Sequence, residues 1–418
     1  MIEFFLIITS LISSIWNFLQ VFYYINSKKY KIPNKQNNYK PFYSIIITIK
    51  NEDNDTIKGL IENLSSIKYE NFEVLIISDD DKIRFNNIFN NIELPNNFKL
   101  IRRENPQDGK AGALNLGVKL SKGEYLVFLD ADARVDSNFL SELSNYINED
   151  AIALRIHIRE SSDSVERVYY EMNEFVMESL FKGRASLNLQ IFPNGSALAI
   201  KKSIIEKMGG WKKSMTEDLE LGIRLFKNNV KVKYLDNLRV SLLPPFSLSD
   251  LYYQTERWAY GSGELILSSI KLLRMGYKGI EGFLYTIQWL IYPLFPITLI
   301  IMSIFQPILK INILYYIISI IIYFIFNFIY QQFAKVETNI SIGLLVIIAS
   351  FLGFLKGLLR FNYTWKVTKK KKIESEEVPV SLIFFKYLIL ISSFINALYG
   401  EYFTSILLLL LGFFLHFT

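Results

Sequence analysis

Asp130 and Asp132 stand one residue apart at the end of the apolar run EYLVFL. Two carboxylates at a strand end can hold a divalent cation that grips a diphosphate, or can simply cap the next turn. Asp79, Asp80 and Asp81 follow the run FEVLIIS, and Glu52 follows YSIIITI. Each could be a solvated turn residue, but acids gathered at one crevice repel unless they meet a cation or hydrogen-bond donors such as ribose and base. Thr216-Glu217-Asp218 reads as a helix start with Thr216 as N-cap, and equally as the seat of a general base acting on an incoming hydroxyl. In Gln254-x-x-Arg257-Trp258 the three side chains share a helix face at i, i+3 and i+4. They suit an interfacial helix with a snorkelling arginine and a belt tryptophan, or a site where Arg257 meets a diphosphate leaving group and Trp258 a sugar ring.

Such residues act together only if the chain brings them to one place. From Tyr43 the sequence alternates apolar runs with helical stretches: YSIIITI, DTIKGLIENLSSI, FEVLIIS, FKLIR, AGALNLGVKL and EYLVFL. This predicts a parallel sheet with helices on both faces, whose ligands lie beyond the carboxyl ends of the strands. Glu52, Asp79 to Asp81, and Asp130 with Asp132 then share one crevice. PNGSALAI reads as a loop entering a short strand, and a helix is expected from near Thr216. The stretch after Pro244 and Pro245, rich in Tyr252, Tyr253, Trp258 and Tyr260, is expected as a helix lying in a membrane interface.

A composition 51% hydrophobic and 15% aromatic is too apolar for an ordinary soluble protein. The long apolar runs occupy the first 25 residues and most of the chain after Gly282. There is no cysteine, and His157 and His416 are the two histidines, so thiolate sites and multi-histidine cages are excluded. A metal must be held by oxygen, which favours Mg2+ or Mn2+. The net charge of +6 is partly carried by Lys28, Lys29, Lys31 and Lys369 to Lys372 beside apolar runs. That suits anionic lipid heads and membrane orientation, with no case for nucleic acid.

Residues 4–25 are long enough to cross ~30 Å of hydrocarbon and are followed by SKKYK, which predicts a retained anchor with its C-terminal end cytoplasmic. Further runs lie near 283–305, 311–330, 341–359, 380–398 and 402–417. If all five span, the tetralysine loop falls on the wrong side, so 283–305, broken by Pro293 and Pro296, is expected to be re-entrant or interfacial. The expected division is a transmembrane helix at 1–27, a cytosolic domain at 40–245, an amphipathic interfacial region at 246–280 and membrane or interfacial helices at 281–418.

SIIITIKNED, FEVLIISDD, GKAGALN, FLDADA, GGWKKSMTEDLELGIRL and QTERWAYG occur in the order seen in the membrane-integrated members of glycosyltransferase family 2, which the chain resembles from about Tyr43 to Gly263. This is the group of the cellulose, hyaluronan and glucosylceramide synthases. The resemblance implies a GT-A, Rossmann-like α/β domain inserted between transmembrane α-helices, and an inverting hexosyltransferase of the cell membrane with its catalytic domain cytoplasmic. It implies a nucleotide-sugar donor, such as a UDP-sugar, with Mg2+ or Mn2+, and a lipid or glycan acceptor. Glu52 and Asp79 would then contact the nucleoside, Lys110 the phosphate region, Asp130 the ribose or donor sugar, and Asp132 the metal. Asp218 would be the base. Gln254, Arg257 and Trp258 would close over the diphosphate, beside Glu217, at the acceptor end. The chain departs from the family in reading SDDD after the second strand, which leaves Asp79 and Asp80 both open. A processive synthase that secretes its polymer, and a non-catalytic nucleotide sensor, are the rival readings.

Overall fold

Continuous β-branched runs become four parallel strands, β1 (Tyr43–Ile49), β2 (Phe72–Ser78), β3 (Phe98–Arg102) and β4 (Tyr125–Leu129). The structure, a computed structural model, describes residues 2–34, 39–90, 92–159, 164–337, 339–363 and 378–415. Every residue of β2 and β4 is buried, as a strand covered on both faces requires. The Asn54–Ser65 and Gly109–Leu120 helices contribute Ile57, Leu60, Leu114 and Val118 to the same core.

The sheet is larger and more mixed than the sequence pattern predicts. Adding β5 (Ala151–Ile158), β6 (Ala197–Lys201) and β7 (Val232–Leu242), its order is β3-β2-β1-β4-β6-β5-β7. β6 runs antiparallel to both β4 and β5. After β5 a helical excursion from Ser164 to Ser186 returns the chain to the carboxyl end of β4, so the strand that follows has to run away from that edge. β5 pairs parallel with β7 across a register shift at Leu154/Arg155. Arg155 there reaches Glu174, Glu178 and Asp236 at 2.6, 2.9 and 2.6 Å, tying the excursion to the sheet.

Among the described residues, four helices are long and apolar enough to cross a membrane: Ile2–Ser27, Ile313–Ala334, Ile340–Leu358 and Val380–Leu398. The segments Ile266–Thr286 and Gln288–Ile304 meet at 57°, a geometry shared by a broken span and a re-entrant loop, and Pro293 falls inside the break-prone run. The last expected run forms a helix of only 13 residues, Tyr402–Phe414, too short to cross ~30 Å of hydrocarbon at 1.5 Å per residue. Lys369 to Lys372 and His416 lie outside the described residues.

The Leu248–Glu264 helix, N-capped by Ser247, carries Gln254, Arg257 and Trp258. Two of its expected belt aromatics, Tyr252 and Tyr260, are buried in protein. The cause is its close packing on Ile340–Leu358. A Cβ at Gly353 would stand 2.3 Å from the carbonyl oxygen of Glu256, and one at Gly357 2.0 Å from that of Tyr260, so the two backbones touch. Lys356 and Glu256 add an ion pair at 2.6 Å.

Candidate active site

A cavity of about 700 Å³ opens at the carboxyl ends of β1, β2 and β4 and is lined by all ten residues to which the family resemblance gives a role, from Glu52 to Trp258. The position follows from sheet topology, since side chains just past parallel strand ends share one edge.

The three consecutive aspartates after β2 separate into three roles. Asp79 lines the cavity and takes two bonds from the Arg103 guanidinium, at 2.5 and 2.6 Å. Asp80 is buried away from it, accepting from the Asn51 amide at 2.7 Å and the Ser78 hydroxyl at 3.0 Å. That bond holds Asn51 at φ 59°, a left-handed conformation in which Asn is several-fold enriched among non-glycine residues. Asp81 caps the Lys82–Phe89 helix, accepting from the Arg84 amide at 2.9 Å. Arg103 was not anticipated; its position directly after the FKLIR strand, on the edge that gathers the acids, was the available signal.

Lys110, in the first turn of Gly109–Leu120, bridges the two halves of the cavity. Its Nζ lies 3.1 Å from Asp130 and 2.9 Å from Glu217. Burial alone would pull its pKa down, but Asp130 and Glu217 outweigh burial and hold the ammonium above its ordinary range. Asp132 is buried, and its Oδ2 accepts from the Leu243 amide at 3.0 Å.

As a metal site, the donor set is two carboxylates. No cluster of three or more His, Asp or Glu able to hold an ion is present among the described residues. A hard cation taken by Asp130 and Asp132 would need its remaining ligands from water and a diphosphate, as Mg2+ often does. They do not form a cage that would hold an ion by protein alone.

Asp218 sits at the start of the Glu217–Lys227 helix. Its Oδ2 accepts from the Gly195 amide at 2.9 Å and its Oδ1 from the Leu219 amide at 2.7 Å. Burial, followed by the charge of Glu217, raises its pKa to about 6 against the opposing pull of these amides and Lys110. A carboxylate near that value is ionised at neutral pH yet basic enough to take a proton. Thr216 occupies the N-cap position but makes no side-chain cap bond, contrary to the sequence expectation. Its hydroxyl is instead buried against Gly261, where a Cβ would fall 2.1 Å away. The start of the helix bearing Asp218 is thereby seated on the helix bearing Arg257.

On that helix, Trp258 lies against Trp289 with ring centroids 5.8 Å apart. Gln254 presents a buried Oε1 with no hydrogen-bond partner among the described residues. Tyr169 also lines the cavity. Burial and the nearby Asp132 push its phenol up, while Arg257 and Gln254 pull it down. Neither Tyr169 nor Trp289 was identified from sequence, because their segments carry no motif.

Comparison with known proteins sets this geometry beside others. The chain is 26% identical over 405 residues to a probable glycosyltransferase of Sulfolobus acidocaldarius, an alignment covering 88% of this chain and 87% of that one. It is 26% identical over 220 residues to a poly-beta-1,6-N-acetyl-D-glucosamine synthase of Staphylococcus aureus, covering 51% of this chain and 53% of the relative. Among solved structures, the mannosyltransferase PcManGT from Pyrobaculum calidifontis, in complex with GDP-Man and Mn2+, superposes with a TM-score of 0.56 at 15% identity, covering 85% of this chain and all of that one. The fold is a GT-A-like α/β domain flanked by apolar helices. Residues 44–209, which carry Glu52, Asp79, Lys110, Asp130 and Asp132 and end before Asp218, match the model of the glycosyl transferase family 2 domain.

Proposed function

We propose that the chain is a membrane-bound inverting hexosyltransferase. It moves a sugar from a nucleotide-diphosphate sugar, a UDP-sugar in the first instance, to a hydroxyl of a lipid or glycan at the cytoplasmic face of the cell membrane. The observation that carries this reading is Asp218: a half-buried carboxylate raised to about 6, fixed by two amides, in the same cavity as Asp130, Asp132 and Arg257. The nucleotide sugar and Mn2+ in the superposable mannosyltransferase support a donor of this class and an oxygen-bound ion.

Glu52 and Asp79 receive the nucleoside, with Arg103 fixing the Asp79 carboxylate. Asp132 and Asp130 hold the cation, which when bound offsets charge on the diphosphate. Lys110 keeps Asp130 and Glu217 in register. Asp218 removes the acceptor hydroxyl proton, and the oxygen attacks the anomeric carbon from the side opposite the leaving group. As the bond from that carbon to the diphosphate breaks, Arg257 stabilises the departing charge. Gln254 and Trp258 close the acceptor end.

A processive synthase is the second reading, favoured by the similarity over half the chain to a relative named as a polysaccharide synthase. The test is nucleoside diphosphate release by the reconstituted protein over UDP- and GDP-sugars with Mg2+ or Mn2+. Release that needs metal and Asp218 supports transfer. Nucleotide binding without release with any donor would refute it in favour of a sensor.

A further inference from the structure

The cavity that holds the carboxylates has a second kind of wall. Met172 and Val176, at i and i+4 on the Ser164–Val176 helix, and Leu180, on the π-helical turns that follow, all line the cavity from the helical excursion. Phe181 joins them from the same turns, Met177–Gly183, a wider winding that recurs at functional sites. Trp289 and Val346 also line the cavity, from the bent apolar pair and from the Ile340–Leu358 span. The excursion is bound to the N-terminal apolar helix, where the Ser27 hydroxyl donates to Glu178 at 3.2 Å.

This wall discriminates between acceptors. A glycan carries hydroxyls along its whole length, and hydroxyls buried against such side chains lose their water without gaining partners. A lipid tail has no hydroxyls to desolvate and exchanges one hydrocarbon surrounding for another, so the same wall costs it nothing. At the polar end, Glu217 is paired with Lys110 while Asp218 is held by two backbone amides, so an anionic head brought to Asp218 would meet like charge.

We infer that the acceptor is a membrane lipid whose hydrocarbon tail occupies this apolar arm and whose neutral head presents a hydroxyl to Asp218. This rests on the transferase reading above. The hydroxyl proton passes to Asp218, the lipid oxygen bonds to the anomeric carbon, and the nucleoside diphosphate leaves with the electrons of the bond that breaks.

Two experiments on the full-length protein in phosphatidylcholine vesicles test it. In the first, diazirine-bearing hexadecanol is photoactivated and the labelled peptides mapped. Label on residues 172–181 that is lost in Leu180→Trp and in Val346→Trp, two blocks placed on separate elements, is expected. Label confined to the lipid-facing Ile313–Ala334 helix overturns the inference, and this mapping on the unaltered protein decides even if both variants fail to fold. In the second, a sugar-labelled donor is turned over with vesicles holding diacylglycerol, vesicles holding a polyprenyl phosphate, or a soluble oligosaccharide. Organic-phase label with the neutral lipid, at least tenfold lower in either tryptophan variant, is expected. Transfer to the phosphate, or a growing water-soluble product, overturns the lipid hydroxyl while the transferase reading stands. Absence of nucleoside diphosphate release with every acceptor and with water strikes the transferase reading itself.

Discussion

Lys110 and Glu217 meet at 2.9 Å across the cavity, joining the Gly109–Leu120 helix to the helix whose first turn carries Asp218. The pair fixes the environment of Asp218 from the side, since Glu217 raises its pKa and Lys110 lowers it.

Replacing Asp218 by Asn should lower turnover by roughly 10²-fold to 10⁴-fold. Donor affinity should change little, because the amide keeps the size of the group and the donor residues lie elsewhere. Steady-state kinetics with a nucleotide-binding titration would separate the two, and normal turnover in the variant would remove Asp218 from the mechanism.

The base must be ionised, so kcat/KM should rise with pH through about 6 and level off above it. Glu217→Gln removes a charge that disfavours the ionised form, so the acid limb should move to lower pH. Lys110→Met removes one that favours it, so the limb should move to higher pH. Shifts of the same sign in the two variants would contradict this electrostatic account.

The three aspartates after β2 should respond differently. Asp79→Ala should raise the KM for the donor, since its carboxylate and Arg103 shape the cavity edge. Asp81→Ala should leave kinetics unchanged and cost about 1 kcal/mol of stability through loss of an N-cap. Thermal unfolding beside donor kinetics would check both.

Chelation should abolish transfer, and Mn2+ or Mg2+ should restore it. In Asp132→Ala the metal concentration for half-maximal rate should rise at least tenfold, because one of only two carboxylates is gone. A metal requirement unchanged by this substitution would place the ion elsewhere.

Gly357→Leu should reduce kcat although the residue does not line the cavity. The new side chain would force the Tyr260 backbone away and displace Arg257 with it. Retained donor binding with lost turnover is the expected pattern in paired binding and rate measurements.

The first four strands were legible because buried parallel strands are written as unbroken β-branched runs. β7 was not, because VKYLDNLRVSL interleaves Asp236, Asn237 and Arg239 with its apolar residues and is only partly buried. The ten cavity residues could be named from sequence since they stand at strand ends or on motifs. Arg103, Tyr169 and Trp289 enter through tertiary placement, which no local spacing records. The role of SDDD was undecidable from sequence because all three residues are equally good turn formers; Asn51 and Arg84, both distant or backbone partners, assign them.

The contact of Gly353 and Gly357 with the Arg257 helix has a consequence for where this protein works. A membrane-spanning helix adjusts its tilt to the thickness of the bilayer around it. Ile340–Leu358 touches the Leu248–Glu264 backbone at Gly353 and Gly357, so a change in its tilt should reach Arg257 and Trp258. If the chain transfers a sugar as proposed, bilayer thickness should therefore alter its turnover more than its affinity for the donor.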